Sequence, residues 1–201
     1  MLQYADDTNG IVCDLLSAKY FLEVVENFGN LSNLRLNKDK TQGMWLGKDR
    51  YCKNKPLGIK WPDEPIKILG VYLSYDRGEC DKLNYDKKLV KIKNILNWWK
   101  SRNLTMIGRI LIVKTFIISQ FLYVTSVVGM PEKYIKEVNK LIRYFVWKSN
   151  KSKLKHSIMC KDKKDGGLKM PDFNKILHVT YLKWMKKLLI NREGVCLSLI
   201  H

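Results

Sequence analysis

Paired cysteine is what this sequence most obviously lacks. Its five cysteines, Cys13, Cys52, Cys80, Cys160 and Cys196, are odd in number, widely spread and without a C-x-x-C pair. That excludes a disulfide framework and points to a reducing, intracellular setting, nuclear or cytoplasmic. Histidine is scarcer still. His156, His178 and His201 make no ligand spacing with those cysteines, which argues against a zinc site. The start, Met1-Leu2-Gln3-Tyr4-Ala5-Asp6-Asp7, has neither a basic region nor an apolar core of signal-peptide length. The uncharged stretch from Thr115 to Met130 contains Ser119, Gln120, Thr125 and Ser126; it is too short and too polar to span a bilayer, so no membrane partner is expected. No fixed-period repeat or low-complexity tract is present, which excludes a solenoid.

Acidic residues are missing from one part only. Residues 1–80 hold 11 basic and 11 acidic side chains, whereas residues 81–201 hold 26 basic and 8 acidic. The whole net charge of +18 therefore belongs to the C-terminal part. A neutral piece joined to a basic module is the pattern of a protein that neutralises phosphates and releases counterions; a solvated lysine surface is the blander alternative. Hydrophobic residues make up 46% of the chain, enough to bury a core in one or two domains.

The apolar pattern runs β, α, several β, then long helices. Short apolar runs, Leu2 to Ala5 and Gly10 to Cys13, flank Asp6-Asp7-Thr8-Asn9, which predicts a hairpin with two carboxylates at its tip. Asp14 is placed to cap a helix through Phe28, with Gly29 at its exit. Strand-like pieces follow at Leu34 to Asn37, Gln42 to Gly47, Gly58 to Trp61 and Ile66 to Ser74. From Asp81 a first amphipathic helix sets Leu89, Ile92, Leu96 and Trp99 on one face. A second starts after Thr105 and runs to about Val128, and a third opens at Pro131 with Tyr134, Val138, Leu141 and Phe145 inward. Ile158-Met159-Cys160 and Leu168-Lys169-Met170 read as a hairpin about Asp165-Gly166-Gly167, and a last helix follows Pro171.

Adjacent carboxylates repel one another, at a cost of several kcal/mol for charges about 4 Å apart at intermediate dielectric, so a cation is the natural companion of Asp6 and Asp7. Hard oxygen donors favour Mg²⁺ and the two-metal form of phosphoryl transfer. An Asp-Asp dipeptide by itself also fits an ordinary solvated turn.

Several ordered segments then carry a resemblance. Tyr4-Ala5-Asp6-Asp7 is similar to the Y/F-x-D-D motif of reverse transcriptases. Leu34-Arg35-Leu36-Asn37 with Lys40-Thr41, Met44-Trp45-Leu46-Gly47, and Ile68-Leu69-Gly70-Val71-Tyr72-Leu73-Ser74 follow in the order of the LINE-type, non-LTR retrotransposon group, the last resembling its primer-grip strand. Trp98, Arg102-Asn103-Leu104-Thr105, Ile107-Gly108-Arg109-Ile110 and Lys114 resemble its thumb. Tyr144-Phe145-Val146-Trp147, Gly166-Gly167-Leu168-Lys169-Met170-Pro171-Asp172 and Leu182-Lys183-Trp184 continue the likeness almost to the end of the chain.

The resemblance implies an α+β fold: the C-terminal half of a polymerase palm with primer grip (1–80), a helical thumb (81–150) and a basic post-thumb hairpin and helix (151–201). It implies an RNA-directed DNA polymerase acting on an RNA template, a DNA primer and deoxynucleoside triphosphates. Asp6 and Asp7 would hold Mg²⁺, and Tyr4 would lie near the newest base pair. Lys40 would donate a proton to departing pyrophosphate or neutralise it, unless it is an ordinary solvated lysine at a strand end. Leu69 and Gly70 would bring the primer-grip backbone close to nucleic acid, unless Gly70 marks only a bulge. Lys91, Arg109 and Lys114 would contact phosphates, Gly108 would mark close helix packing, and most of Trp98, Trp99, Trp147 and Trp184 would be core. The family also needs fingers, a third palm carboxylate and an endonuclease. These would precede Met1, so the isolated chain is expected not to polymerise DNA and to expose edge strands and apolar surface. The competing reading is a non-catalytic nucleic-acid-binding remnant that uses residues 81–201.

Overall fold

The computed structural model describes residues 2–4, 7–63, 65–149 and 151–190. They fall into two compact units, Met1–Ile66 and Lys67–His201. The architecture is mixed α+β, mostly helical, with two small two-stranded sheets.

In the first unit, β1 (Leu2–Tyr4) pairs antiparallel with β2 (Asp7–Asn9), Leu2 opposite Asn9 and Tyr4 opposite Asp7. The second strand thus begins at Asp7, three residues before the expected Gly10, and Gly10 to Cys13 is not strand. Helix α1 (Leu15–Ser32) starts where Asp14 accepts a hydrogen bond from the Ser17 amide at 2.7 Å. It does not stop at Gly29 but runs to Ser32, ending on Asn33 in the left-handed conformation. Gly29 is instead a close approach: a Cβ there would run into the Leu34 carbonyl as the chain turns back. On its apolar positions Phe21, Leu22 and Val25 are half-buried, and Leu15, Leu16, Tyr20, Val24, Phe28 and Leu31 are exposed.

Between α1 and Ile66 the predicted strands do not form. Asn37 accepts from the Lys40 and Thr41 amides and folds its segment into a turn. Of the next two segments only a single parallel bridge, Gln42 to Lys60, is made. Their order comes from aromatic contact: Trp45 and Trp61 stack at 4.7 Å, and their indole N–H groups donate to the Asn54 and Pro56 carbonyls at 3.0 and 2.8 Å. Ladder partners are what these segments lack among the described residues, and an extended run without one gains no strand.

The second unit opens within a hairpin, β3 (Ile66–Ile68) and β4 (Val71–Leu73). The anticipated single strand Ile66 to Ser74 is therefore folded in two about Leu69 and Gly70. Asn84 fastens β4 to α2 (Arg77–Lys100): its side chain accepts from the Tyr72 amide at 3.0 Å and donates to the Tyr72 carbonyl at 2.8 Å. Asp76 caps α2 through the Gly78 and Glu79 amides, and Tyr85, Leu89, Ile92 and Leu96 form its buried stripe.

The long apolar segment comprises α3 (Met106–Ile112), a π-helical stretch (Val113–Ile118) and α4 (Ser119–Val128), with Thr105 as its cap. At 23 residues, with a mean hydropathy of 1.8 over an 18-residue window, it is the one helix among the described residues long and apolar enough to cross a membrane, so the length and polarity argued from Thr115 to Met130 do not describe the whole helix. Its Val113, Ile117, Phe121, Val124 and Thr125 are fully buried, so core packing accounts for part of that composition, while Ile107, Leu111, Phe116, Tyr123 and Val127 are exposed. Helix α5 (Glu132–Trp147) follows Pro131 and buries Tyr134, Val138, Ile142 and Phe145; Ile142 takes the place expected of Leu141. Ring contacts join Tyr85 to Phe121 and Tyr134, and Phe121 to Phe173 at 5.7 Å. Each such fully buried side chain contributes about 1.5–3 kcal/mol of transfer free energy.

The Ile158-Met159-Cys160 segment is helical (α6, His156–Cys160), not a strand. Its amides bond locally, Ile158 to the Lys155 carbonyl at 3.1 Å, which leaves nothing for a ladder. The returning chain still docks on it, the Leu168 and Met170 amides both donating to the Met159 carbonyl. Helix α7 (Phe173–Ile190) completes the unit.

Candidate functional site

In the first unit, Asp7 heads β2 with an exposed side chain; of Tyr4 the backbone pairing is described, and Asp6 lies outside the described residues. Asp7 thus presents one exposed carboxylate, a hard oxygen donor of the kind divalent cations such as Mg²⁺ take. Lys40 is exposed in the Asn37 turn, and no hydrogen bond or ion pair joins it to Asp7.

The second unit holds the other candidates. Leu69 and Gly70 both have positive φ, 46° and 84°, the backbone of a type I′ two-residue turn. Leucine there is strained, and the Leu69 carbonyl is held by the Tyr123 hydroxyl of α4 at 2.7 Å. No heavy atom lies within 4 Å of a Cβ built on Gly70, so the turn backbone is open to approach from outside. Lys91 is exposed on α2, where Lys88 has its amine held below the usual lysine range by burial and by the Lys91 charge. Lys114 is half-buried in the π-helical stretch, where Thr115 and Ser119 hydroxyls bond back to the Leu111 and Thr115 carbonyls. Such bulges often sit at functional sites.

Arg109 is placed differently from a free phosphate ligand. Its guanidinium donates to the Val146 and Leu104 carbonyls, each at 2.9 Å. A Cβ on Gly108 would have Thr105 and Leu104, just before the helix, as its nearest neighbours, at 3.5 Å or more, which is ordinary contact. Among the tryptophans, Trp99 and Trp147 pack against the core, but Trp98 is 58% exposed. The Trp184 side chain lies outside the described residues.

Two groupings escaped the sequence reading. Arg102 lies over both Trp98 and Trp99, at 4.3 and 5.1 Å, and Lys100 lies over the Tyr144 ring at 5.0 Å while donating to its hydroxyl. Adjacent aromatics and cations of this kind can stack on bases or meet phosphates. The second grouping is His156, Cys160 and Asp172, whose donor atoms all lie within 4.8 Å of one another. The i,i+4 spacing of His156 and Cys160 was a visible clue; the contribution of Asp172 was not.

Fold and charge together define a basic, mostly helical α+β protein with exposed cations along its helical unit. No protein-family model matches the chain. It is 27% identical over 148 residues to the Transposon TX1 uncharacterized 149 kDa protein of Xenopus laevis, covering 72% of this chain and 11% of that protein. It is 25% identical over 119 residues to a putative ribonuclease H protein of Arabidopsis thaliana, covering 57% of this chain and 18% of that protein. The chain is thus a transposon-related sequence that spans less than a fifth of the length of either relative.

Proposed function

We propose that this chain is a segment of the RNA-directed DNA polymerase of a LINE-type retrotransposon, contributing metal-binding carboxylates, a primer-grip turn and a basic thumb. The observation that carries this reading is the ordered succession of motif segments from Tyr4-Ala5-Asp6-Asp7 to Gly166-Gly167-Leu168, in a chain similar to a transposon product over 72% of its length. In this reading Asp6 and Asp7 bind Mg²⁺, which supplies Lewis acidity at the transferring phosphoryl group. Lys40 meets pyrophosphate charge. The turn at Leu69 and Gly70 presents open backbone to the primer, and Lys91 and Lys114 neutralise duplex phosphates without reading sequence. Arg109 serves by tying α3 to the end of α5. The polymerase works inside the cell on an RNA template, a DNA primer and deoxynucleoside triphosphates.

The test is complementation. Joined to the fingers and remaining palm of a related enzyme, the chain is expected to support Mg²⁺-dependent primer extension that Asp6→Asn abolishes. Extension no better than that of the Asp6→Asn control refutes the catalytic assignment.

A second reading, a nucleic-acid-binding protein without catalysis, is favoured by one observation, the confinement of the net charge to residues 81–201. Full duplex binding by an Asp6→Asn, Asp7→Asn variant, with no extension in any fusion, supports it. Binding that does not weaken with salt contradicts both readings.

A further inference from the structure

We propose that His156, Cys160 and Asp172 form a binding site for a borderline-soft divalent cation of the Zn²⁺ class, which clips α6 to the start of α7. Helix α6 sets His156 and Cys160 one turn apart on the same face, with Cys160 Sγ 3.5 Å from His156 Nε2. The third donor arrives by a fixed route. Leu168 and Met170 bond to the Met159 carbonyl, Lys169 bonds to that of Lys161, and Pro171 then leads into Asp172. Asp172 Oδ1 accepts from the Lys175 amide at 3.2 Å, capping α7, while Oδ2 stands 3.9 Å from His156 Nε2.

Zinc bonds of about 2.0–2.3 Å at the tetrahedral angle place neighbouring donors about 3.5 Å apart. The Cys160–His156 pair already meets that spacing, and the wider separations, all within 4.8 Å, close by about 1 Å when the Asp172 side chain turns toward the ion. One sulfur, one nitrogen and one oxygen donor suit zinc and exclude the all-oxygen preference of Mg²⁺ or Ca²⁺. The thiol yields its proton to solvent on binding, and water fills the fourth position. Lys155, Lys161, Lys169 and Lys175 belong to the same segments, so affinity rests on the thiolate and imidazole rather than on a general negative field. Met159, buried between the two ligands in sequence, anchors α6 to the core and holds the pair in place. The proposal is independent of the polymerase reading.

Co²⁺ titration of the full chain, with Cys13, Cys52 and Cys196 replaced by serine, provides the test. One equivalent is expected to produce a thiolate-to-cobalt charge-transfer band and tetrahedral visible bands, both displaced by Zn²⁺. Cys160→Ser should abolish the charge-transfer band. His156→Gln, at an exposed position that does not threaten folding, should weaken binding on the order of 100-fold, since even outer-shell changes cost 10–100-fold. Asp172→Asn retains a capping oxygen, so its loss of affinity reports coordination rather than helix stability. Absence of the thiolate band in the parent protein, its persistence in Cys160→Ser, or unchanged affinity in His156→Gln overturns the proposal.

Discussion

The Arg109 guanidinium reaches the Val146 carbonyl at 2.9 Å, joining the last turn of α3 to the last turn of α5. A second 2.9 Å bond to Leu104 anchors the loop before α3. Hydrogen bonds from a charged donor are worth about 1.5–3 kcal/mol each, and a truncated side chain would leave two half-buried carbonyls unpaired. Arg109→Ala is therefore expected to lower unfolding free energy by about 2–4 kcal/mol, read from denaturant midpoints at constant m-value. An unchanged midpoint with weakened duplex binding would return Arg109 to the role of phosphate ligand.

Gly108 and Gly29 make opposite predictions from the same substitution. A Cβ at Gly108 meets Thr105 and Leu104 at ordinary contact distance within a helix. Gly108→Ala should therefore stabilise by about 0.4–1 kcal/mol, chiefly by restricting the unfolded chain. At Gly29 the new methyl would strike the Leu34 carbonyl, so Gly29→Ala should destabilise by more than about 1 kcal/mol or shorten α1. Thermal midpoints of the two variants moving in the same direction would contradict this account.

Leu69 occupies a left-handed position that costs an L-residue with a bulky side chain roughly 1–2 kcal/mol. Asparagine tolerates that conformation, and Asn-Gly is the preferred type I′ pair. Leu69→Asn should accordingly raise stability by about 1 kcal/mol. If the exposed leucine also serves the duplex, affinity falls while stability rises, and filter binding with denaturation separates the two effects. A variant no more stable than the parent would show that the turn is not strained by its side chain.

Local chemistry explains which parts of this fold were legible in the sequence. Asp14, Thr105 and Pro131 announced helix starts because a cap or a fixed φ acts within a few residues. The stripe Leu89, Ile92 and Leu96 announced the buried face of α2 for the same reason. The strand-like pieces between α1 and Ile66 do not become strands because a short apolar run forms a strand only when a ladder partner is available. Likewise the turn at Leu69 was hidden, since leucine gives no turn signal. The π-helical stretch, the Arg109 bonds and the approach of Asp172 to His156 depend on packing between distant segments, which no local pattern encodes. The catalytic candidates Asp6, Asp7 and Lys40 and the nucleic-acid-binding candidates Tyr4, Leu69 and Gly70 all take their roles from resemblance.

Two buried phenols predict the alkaline limit of the second unit. Burial pushes the Tyr85 hydroxyl well above the ordinary tyrosine range, aided by the neighbouring Tyr181 and Asp81. Its proton is given to the Gly129 carbonyl at 2.8 Å. Tyr134 is raised by burial and by its 2.7 Å bond to Asp86. The unfolded chain ionises both near pH 10 while the folded chain keeps its protons, so above that pH the unfolded state binds fewer protons than the native one. Stability is therefore full below about pH 10 and falls as pH rises toward the folded values. Tyr85→Phe should cost about 1 kcal/mol at neutral pH through the lost hydrogen bond, yet flatten part of the alkaline decline. Urea midpoints measured on both sides of about pH 10 decide the matter: parallel declines in parent and variant would mean that Tyr85 is not one of the groups whose ionisation opens the core.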